Sequence, residues 1–396
     1  MNIYPLNISS QQDISNICSK IQTDPRALAY LSPKYKILHF YAENIDYRAA
    51  AFLKQELLAR GGDTIVTKHV LDGKTDTSNV LLMGTSSQIK SLIHKLGSMD
   101  CWGLKDLRES LSQAFTNITL HSWQINLSGG RKLILNNDNT KLMAVINLTP
   151  DSFYEGSRVN ESQIINTAQK FLSEGAYILD LGAESTRPGA AQVDAAEEIA
   201  RLIPALKLLR REFCDAIISV DTYKALTARA VIDAGADIIN DISGFSLDND
   251  MLRTIAELNV PYILSHIEGN PSNMKDFEGH DNIIDELQVY FTGKIKTLEE
   301  AGLNRGNIIL DPGLGFAKSE HDNFMIIKHV EALKAFGLPV MIGHSRKRFT
   351  GDKNELAGTL VVSALLAGRV SLLRVHDVKE NLLAVSLSQS IHESGF

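Results

Sequence analysis

Residues Tyr177 to Ala190 read YILDLGAESTRPGA. The apolar run YILDL stops at Gly182, and Glu184-Ser185-Thr186-Arg187 then stand directly before a Pro-Gly turn. A connecting loop needs only turn-forming residues to reverse the chain. A carboxylate, two hydroxyls and a guanidinium in that place therefore call for another explanation, and it depends on whether other short apolar runs end the same way.

They do. From residue 142 onward, β-branched and aliphatic runs recur: LMAVINL (142–148), YILDLG (177–182), AIISVDT (216–222), DIINDIS (237–243), PYILSHI (261–267), NIILDPG (307–313), PVMIGHS (339–345) and LLRVHDV (372–378). Between and after them lie segments of helical period, such as 192–213, 226–235, 281–302, 322–337 and 378–394. Near-continuous apolar strands alternating with helices mean a parallel sheet covered by helices. Eight strands with eight helices are what a closed (β/α)8 barrel, the TIM-barrel architecture, requires; a doubly wound open sheet is the alternative. Just upstream, HSWQINLSGGRKLILNN (121–137) predicts a hairpin turning at Ser128-Gly129-Gly130, placed to plug the barrel floor. Residues 1–118 predict a smaller α/β domain, with strands near 36–42, 64–71 and 79–84 and helices near 46–60 and 103–115. The barrel domain then runs from 119 to 396.

Composition sets the class. The 396 residues are 44% hydrophobic and 22% charged, with a net charge of −7. That balance argues against a nucleic-acid partner, which usually needs a basic excess. The three cysteines, Cys18, Cys101 and Cys214, are widely spaced and predict reduced, buried thiols of a cytosolic protein. The opening residues MNIYPLNISSQQD have no basic-then-apolar leader pattern, and the longest apolar run, LVVSALLAG, is too short to span a bilayer. The expectation is a cytoplasmic protein with no membrane partner.

In a (β/α)8 barrel the active site forms at the C-terminal strand ends. Here those ends carry Asn147, Glu184 to Arg187, Asp221, Asn240-Asp241, His266, Asp311, His344 to Lys347 and Arg374-His376-Asp377. A single Asp or Asn at such a place commonly caps the next helix, and that reading stays open for Asp241 and Asp377. Capping never calls for Lys or Arg at the mouth. Residues two apart on a strand share a face, which pairs Arg374 with His376 as an anion clamp suited to phosphate or pyrophosphate. Opposite it, Asp221, Asn240, Asp311 and Lys347 suit a flat heterocycle offering N–H donors and a carbonyl. GLGFAKS (313–319) looks like part of a phosphate-binding loop but lacks the full GxxxxGK spacing. His39, His69, His94 and His121 are read as surface or core histidines, and Met143 and Met341 as core fillers.

The motifs NLTPDSF, ESTRPGA, ISVDT, IINDISG, GNPSNM, DPGLGF, SRK and RVHDV, in this order, resemble those of dihydropteroate synthases across residues 125–396. Family members join 6-hydroxymethyl-7,8-dihydropterin pyrophosphate to 4-aminobenzoate, releasing pyrophosphate. Carried over by motif, the resemblance implies a pterin site of Asp221, Asn240, Asp311 and Lys347. It implies that Asn147 contacts Mg2+ and the pyrophosphate, with Arg374 and His376 completing the anion site. It further implies an aminobenzoate site of Thr186, Arg187, Pro188, Gly315, Phe316 and Ser345, a sulfonamide target, and GAESTRPGA as a lid whose Glu184 either orients Arg187 or Arg374 or serves as a structural cap. Tyr154-Glu155-Gly156-Ser157, Ile267 and Glu268 depart from the family pattern. A pterin-dependent methyltransferase and a non-catalytic pterin-binding protein of the same fold are the alternatives; the first would need neither the Arg-x-His clamp nor the STRPGA loop.

The helix ELAGTLVVSALLAGRV (355–370) carries only Thr359 and Ser363 as polar residues along most of its length. An outer-ring helix normally shows a polar stripe to water. Its outward face is then covered by residues 1–118, by the last helix (379–394) or by a partner subunit. The expectation is a homodimer with these helices at its centre, which Glu at Val362 and Leu366 would split unless one of them faces the barrel.

Overall fold

The computed structural model describes residues 1–8, 10–148, 160–184, 193–269, 279–351 and 355–394, together with the backbone of 154–155 and 158–159. The chain forms two compact units, Met1–Thr116 with Ile391–Phe396, and Asn117–Ser390.

In the second unit the apolar runs become eight parallel strands: Lys141–Asn147, Ile178–Gly182, Ile217–Asp221, Ile238–Asp241, Tyr262–Ser265, Ile308–Asp311, Met341–Gly343 and Leu372–Val375. We call them first to eighth. The eighth pairs with the first through Leu372↔Lys141 and Arg374↔Met143. The seam between sixth and seventh is bridged by Leu310↔Val340, with the Leu310 N–H donating to the Pro339 carbonyl at 2.9 Å. The sheet is therefore closed, which excludes the open doubly wound arrangement. Each strand is followed by a helix: Glu161–Ser173, Ala195–Glu212, Ala225–Asp233, Met251–Leu258, Ile283–Ala301, Glu320–Lys328, Glu355–Leu366 and Val378–Glu393.

Local chemistry sets several of these boundaries. Asn160, Asp194 and Ser319 cap their helices by accepting from backbone N–H groups three residues on. The helix predicted over 322–337 is shorter than expected. It stops at Lys328, and Val330–Phe336 continues as a 3-10 turn. The reason lies in its carbonyls, which are claimed from outside: Gln288 donates to Ala332 O, Asn117 to Ala335 O and Arg305 to Phe336 O. The turn closes at Gly337 with φ 69°, where an added Cβ would lie 2.7 Å from the Asn117 side chain.

Period-two alternation sorts the strand residues. Leu142, Ala144, Ile146, Leu179, Leu181, Ile218 and Val220 join the core shared with the helices. Their neighbours Met143, Ile178, Ile217, Ile238, Ile263, Ile309, Met341 and Leu372 form one inner layer with Ile125, Leu127, Leu133 and Leu135 of the hairpin Ser122–Asn126/Lys132–Asn136. The hairpin plugs the floor, as the sequence suggested, and Met143 and Met341 are core. Arg131 pins it to Asp237, whose fully buried side chain also pairs with Arg210 of the helix Ala195–Glu212. Breaking a buried pair of this kind costs about 3–5 kcal/mol.

The first unit has a three-stranded antiparallel sheet with Thr77–Thr85 between Ile37–Asp46 and Asp63–Ile65. Its core joins Val80 and Leu82 to Leu53 and Leu57 of Tyr47–Ala59 and to Ile89, Leu92 and Leu96 of Ser86–Leu96. The strand expected over 64–71 ends at Ile65, because Val70 N–H donates to Thr67 O and Lys74 N–H to His69 O in a turn. All three cysteines are free, but none is buried and Cys214 is exposed, which corrects the expectation of core thiols. Among the described residues, no helix is long and apolar enough to cross a membrane.

Candidate active site

Above the apolar floor the barrel interior turns polar. The same alternation that buries Ile178, Ile217, Ile238, Ile309 and Leu372 next presents Asp180, Ser219, Asn240, Asp311 and Arg374. Two further residues along come Gly182, Asp221 and His376 at the C-terminal mouth, with Asn147 ending the first strand and exposed. Gly182 leaves room there. An added Cβ would lie 3.7 Å from Asn147 Oδ1 and 3.7 Å from Asp221 Cβ.

Arg374 is the hub. Its Nε donates to Asp180 Oδ2 at 2.6 Å and its Nη2 to Asp221 Oδ2 at 2.7 Å. Asn240 Nδ2 also reaches Asp180 Oδ2, at 3.4 Å. Burial raises the Asp221 carboxyl above the ordinary carboxylate range; Arg374 opposes the shift and Asp180 reinforces it. Burial alone would lower the guanidinium pKa, but Asp180 and Asp221 more than offset this and hold Arg374 protonated. The sequence reading set the cationic clamp on one side and Asp221 on the other; the structure joins them directly. A closed barrel narrows to a few ångströms between facing side chains, so opposite charges meet across it.

Asp311 accepts from Gly313 N–H at 2.9 Å and from the Ser265 hydroxyl at 3.2 Å. Burial raises its pKa, with Lys347 the main opposing charge. Lys347 donates to the Leu314 carbonyl and sits 4.2 Å from the centroid of the Phe316 ring, a cation–π contact. Burial lowers its ammonium pKa to about 8. Gly315, at φ 77°, is required by this contact, since an added Cβ would be 2.8 Å from Lys347 Cδ. Ser345 Oγ lies 3.0 Å from His376 Nδ1. The structure thus gathers Asn147, Asp221, Asn240, Asp311, Gly315, Phe316, Ser345, Lys347, Arg374 and His376 at one end of the barrel, whereas Thr186, Arg187 and Pro188 lie outside the described residues.

Other expectations need correction. Glu184 does not orient Arg374; it binds the Lys224 ammonium and accepts from Tyr223 Oη at 3.2 Å. Lys224 also reaches Glu198 at 3.3 Å, so these residues fasten the second strand end to the third. His344 and Arg346, grouped with the mouth in sequence, alternate away from Ser345 and Lys347. His344 Nε2 is 2.8 Å from Ser363 Oγ in the outer core, and Arg346 pairs with Asp377 at 2.7 Å. Asp241 is structural, accepting from Ser243, Phe245 and Tyr262.

Two site residues escaped sequence reasoning. Asp180 sits one turn of the pleat below the rim, in the middle of YILDL, where only the inward parity marks it. Lys318 belongs to the dismissed GLGFAKS segment. Its ammonium is 2.9 Å from His266 Nδ1 and 3.1 Å from Phe316 O, and burial lowers its pKa to about 7. Gly313, at φ 65°, allows this loop to fold against the fifth strand, since an added Cβ would sit 2.0 Å from His266 O.

Among the described residues, two places could hold a metal. His266, Glu268 and Glu286 bring donor atoms within 4.8 Å of one another, but the Lys318 ammonium on Nδ1 directs the ring proton to Nε2 and adds positive charge. The other is Asn147, whose single amide oxygen at the mouth, near Asp221, would suit Mg2+, an ion that keeps several waters and takes its other ligands from substrate phosphates.

Comparison with known proteins bears on this geometry. The model of the pterin binding enzyme family matches residues 143–376. The solved dihydropteroate synthase of Xanthomonas albilineans with 4-aminobenzoic acid is 34% identical, with a TM-score of 0.62, and the match covers 68% of this chain and 98% of that one. The chain belongs to the dihydropteroate synthase family. The folic acid synthesis protein fol1 of Pneumocystis carinii is 39% identical over 265 residues, 64% of this chain and 36% of its own length. A probable bifunctional folylpolyglutamate synthase/dihydropteroate synthase of Haloferax volcanii is 32% identical over 358 residues, 87% of this chain and 42% of its own. The chain thus spans about two-fifths of these longer curated relatives. The pterin binding enzyme match lies within the barrel unit.

Proposed function

We propose that the barrel condenses 6-hydroxymethyl-7,8-dihydropterin pyrophosphate with 4-aminobenzoate to give 7,8-dihydropteroate and pyrophosphate. The observation that carries this reading is Arg374 between Asp180 and Asp221, in the inward layer of Asn240 and Asp311, with the Lys347 charge facing Asp311. Ring recognition and anion recognition meet there within one side-chain length.

The acceptors Asp221 and Asp311, the Asn240 amide and the Lys347 ammonium match the N–H donors and carbonyl of a pterin. Arg374, His376 and Asn147 match a pyrophosphate at the rim. Gly315, Phe316 and Ser345, with Thr186, Arg187 and Pro188, match the second substrate; the Xanthomonas relative holds 4-aminobenzoic acid. A sulfonamide that shares its arylamine end would compete there. The arylamine nitrogen attacks the exocyclic carbon of the pterin as the carbon–oxygen bond to pyrophosphate breaks, the electron pair leaves with the pyrophosphate, and the new arylammonium gives its proton to water or to the departing pyrophosphate. The arylamine is already nucleophilic, so no strongly activated base is needed. Positioning and stabilisation of the leaving group carry the rate. Mg2+, when bound at Asn147, would neutralise charge on the departing pyrophosphate.

A homodimer and a cytoplasmic location complete the proposal. The helix Glu355–Leu366 supports the first: its polar Thr359 and Ser363 are fully buried, whereas Val361 and Leu365 are 59% and 54% exposed. Leu383 and Leu387 of the last helix are exposed as well. A helix with polar groups inward and apolar groups outward presents a surface suited to a partner. Calorimetry with the pterin pyrophosphate in Mg2+ tests the ring site. Micromolar or tighter binding, weakened by omitting Mg2+, is expected; no binding overturns the reading.

A further inference from the structure

We propose that Asp180 is a positioning residue for this reaction, one carboxylate that sets both the anion-binding and the ring-binding halves of the site. The inference rests on the proposed activity. Asp180 is fully buried in the second strand, one inward step below Gly182. A single oxygen, Oδ2, accepts from Arg374 Nε at 2.6 Å and from Asn240 Nδ2 at 3.4 Å. Arg374 faces the leaving group and Asn240 faces the ring.

Its charge does two things a mere packing residue would not. A carboxylate can only accept, so it turns the donor end of the Asn240 amide toward itself. Asn240 Oδ1 is thereby left facing away, buried and without a hydrogen-bond partner among the described residues. A ring N–H can then find an acceptor at a fixed place. Asp180 also holds the Arg374 guanidinium by Nε, while Nη2 goes to Asp221. When a ring takes up Asp221, Arg374 keeps one carboxylate anchor and can present its remaining N–H groups to the pyrophosphate. A buried donor or acceptor aimed wrongly forfeits its hydrogen bond and keeps its desolvation cost, so losing this orientation should weaken pterin pyrophosphate far more than aminobenzoate.

The charge has a second signature. Asp221 feels Arg374 on the eighth strand, Asp180 on the second, Asp241 on the fourth, Glu198 on the helix Ala195–Glu212 and Lys347 after the seventh strand. Asp180 pushes the Asp221 carboxyl up. Removing that charge should let Asp221 ionise at lower pH and move the acid limb of pterin binding downward.

The test is Asp180→Asn in the full chain, with turnover measured against each substrate separately and pterin pyrophosphate binding followed from pH 5 to 8. We expect kcat/KM for the pterin substrate to fall by about thirtyfold or more, KM for 4-aminobenzoate to change by less than about threefold, and the acid limb to shift to lower pH. Unchanged pterin kinetics, or equal losses for both substrates with an unmoved limb, overturns the proposal. Asp180→Ser is the second variant; if neither folds, Asp180 is a folding residue and the proposal fails. The unmodified chain runs in the same assay. Its inactivity would contradict the proposed function, whereas an active chain beside an unaffected variant contradicts only this inference.

Discussion

Arg374 makes two buried ion pairs before any substrate arrives, so substitutions there act on stability and on chemistry together. Arg374→Ala would leave two buried carboxylates uncompensated, a loss of about 3–5 kcal/mol in folding. Arg374→Lys separates the effects, because it keeps the charge and gives up the planar fork. We expect its turnover to fall by about a hundredfold, consistent with about 2–4 kcal/mol for a transition-state hydrogen-bond donor, while the thermal midpoint drops only a few degrees. Steady-state kinetics beside a melting curve check both. Asp221→Asn should weaken pterin binding by about tenfold or more by leaving ring N–H groups unpaired, measurable by calorimetry. Lys347 gives a pH prediction. Burial lowers its pKa to about 8, so the ammonium donor is present below that pH and lost above it. Pterin affinity should fall as pH rises past 8, and Lys347→Met should be weaker throughout and flat across that range. The residues at strand ends were legible because each closes an apolar run. Asp180 was not, since a lone Asp between two leucines gives no local cue that its parity points into the barrel beside an Arg 194 positions away. Lys318 has no such cue, since its place depends on the GLGFAKS loop folding against His266, which the linear motif does not encode.

At the scale of elements, strands were easier to place than helix faces. Eight short runs rich in Ile, Val and Leu give both position and inward parity, because the period is two. The helix Glu355–Leu366 is apolar nearly all round, so its sequence carries no phase. The expected interface residues, Val362 and Leu366, are 8% and 0% exposed and belong to the core beneath. Its polar residues are inside for a specific reason: Ser363 Oγ contacts His344 Nε2 at 2.8 Å and Asn381 Oδ1 at 2.6 Å, and Thr359 Oγ1 accepts from Arg346 N–H at 3.1 Å. The prediction moves to the exposed positions. Val361→Glu with Leu365→Glu should yield folded, monomeric protein by light scattering at micromolar concentration, whereas Leu366→Glu should misfold by burying a charge. A monomer already in the unmodified protein contradicts the dimer.

For the whole molecule, the closed barrel and its plugged floor were readable from spacing and from the Ser-Gly-Gly hairpin. The first unit was readable as a small α/β fold but not in detail, since its helices Gln11–Ile21 and Ser86–Leu96 went unforeseen, and no sequence motif in it names a chemistry. The barrel unit has its own core and its own floor, fixed by Arg131 on Asp237. A chain beginning at Asn117 should therefore stay soluble and keep measurable turnover; a folded but inactive product would assign the first unit a part in the site. The most direct test of the central claim is pyrophosphate release by the full chain, supplied with 6-hydroxymethyl-7,8-dihydropterin pyrophosphate and Mg2+, with and without 4-aminobenzoate. The account predicts release that depends on 4-aminobenzoate and matches dihydropteroate formed one for one. Release that ignores 4-aminobenzoate, or none in its presence, would contradict it.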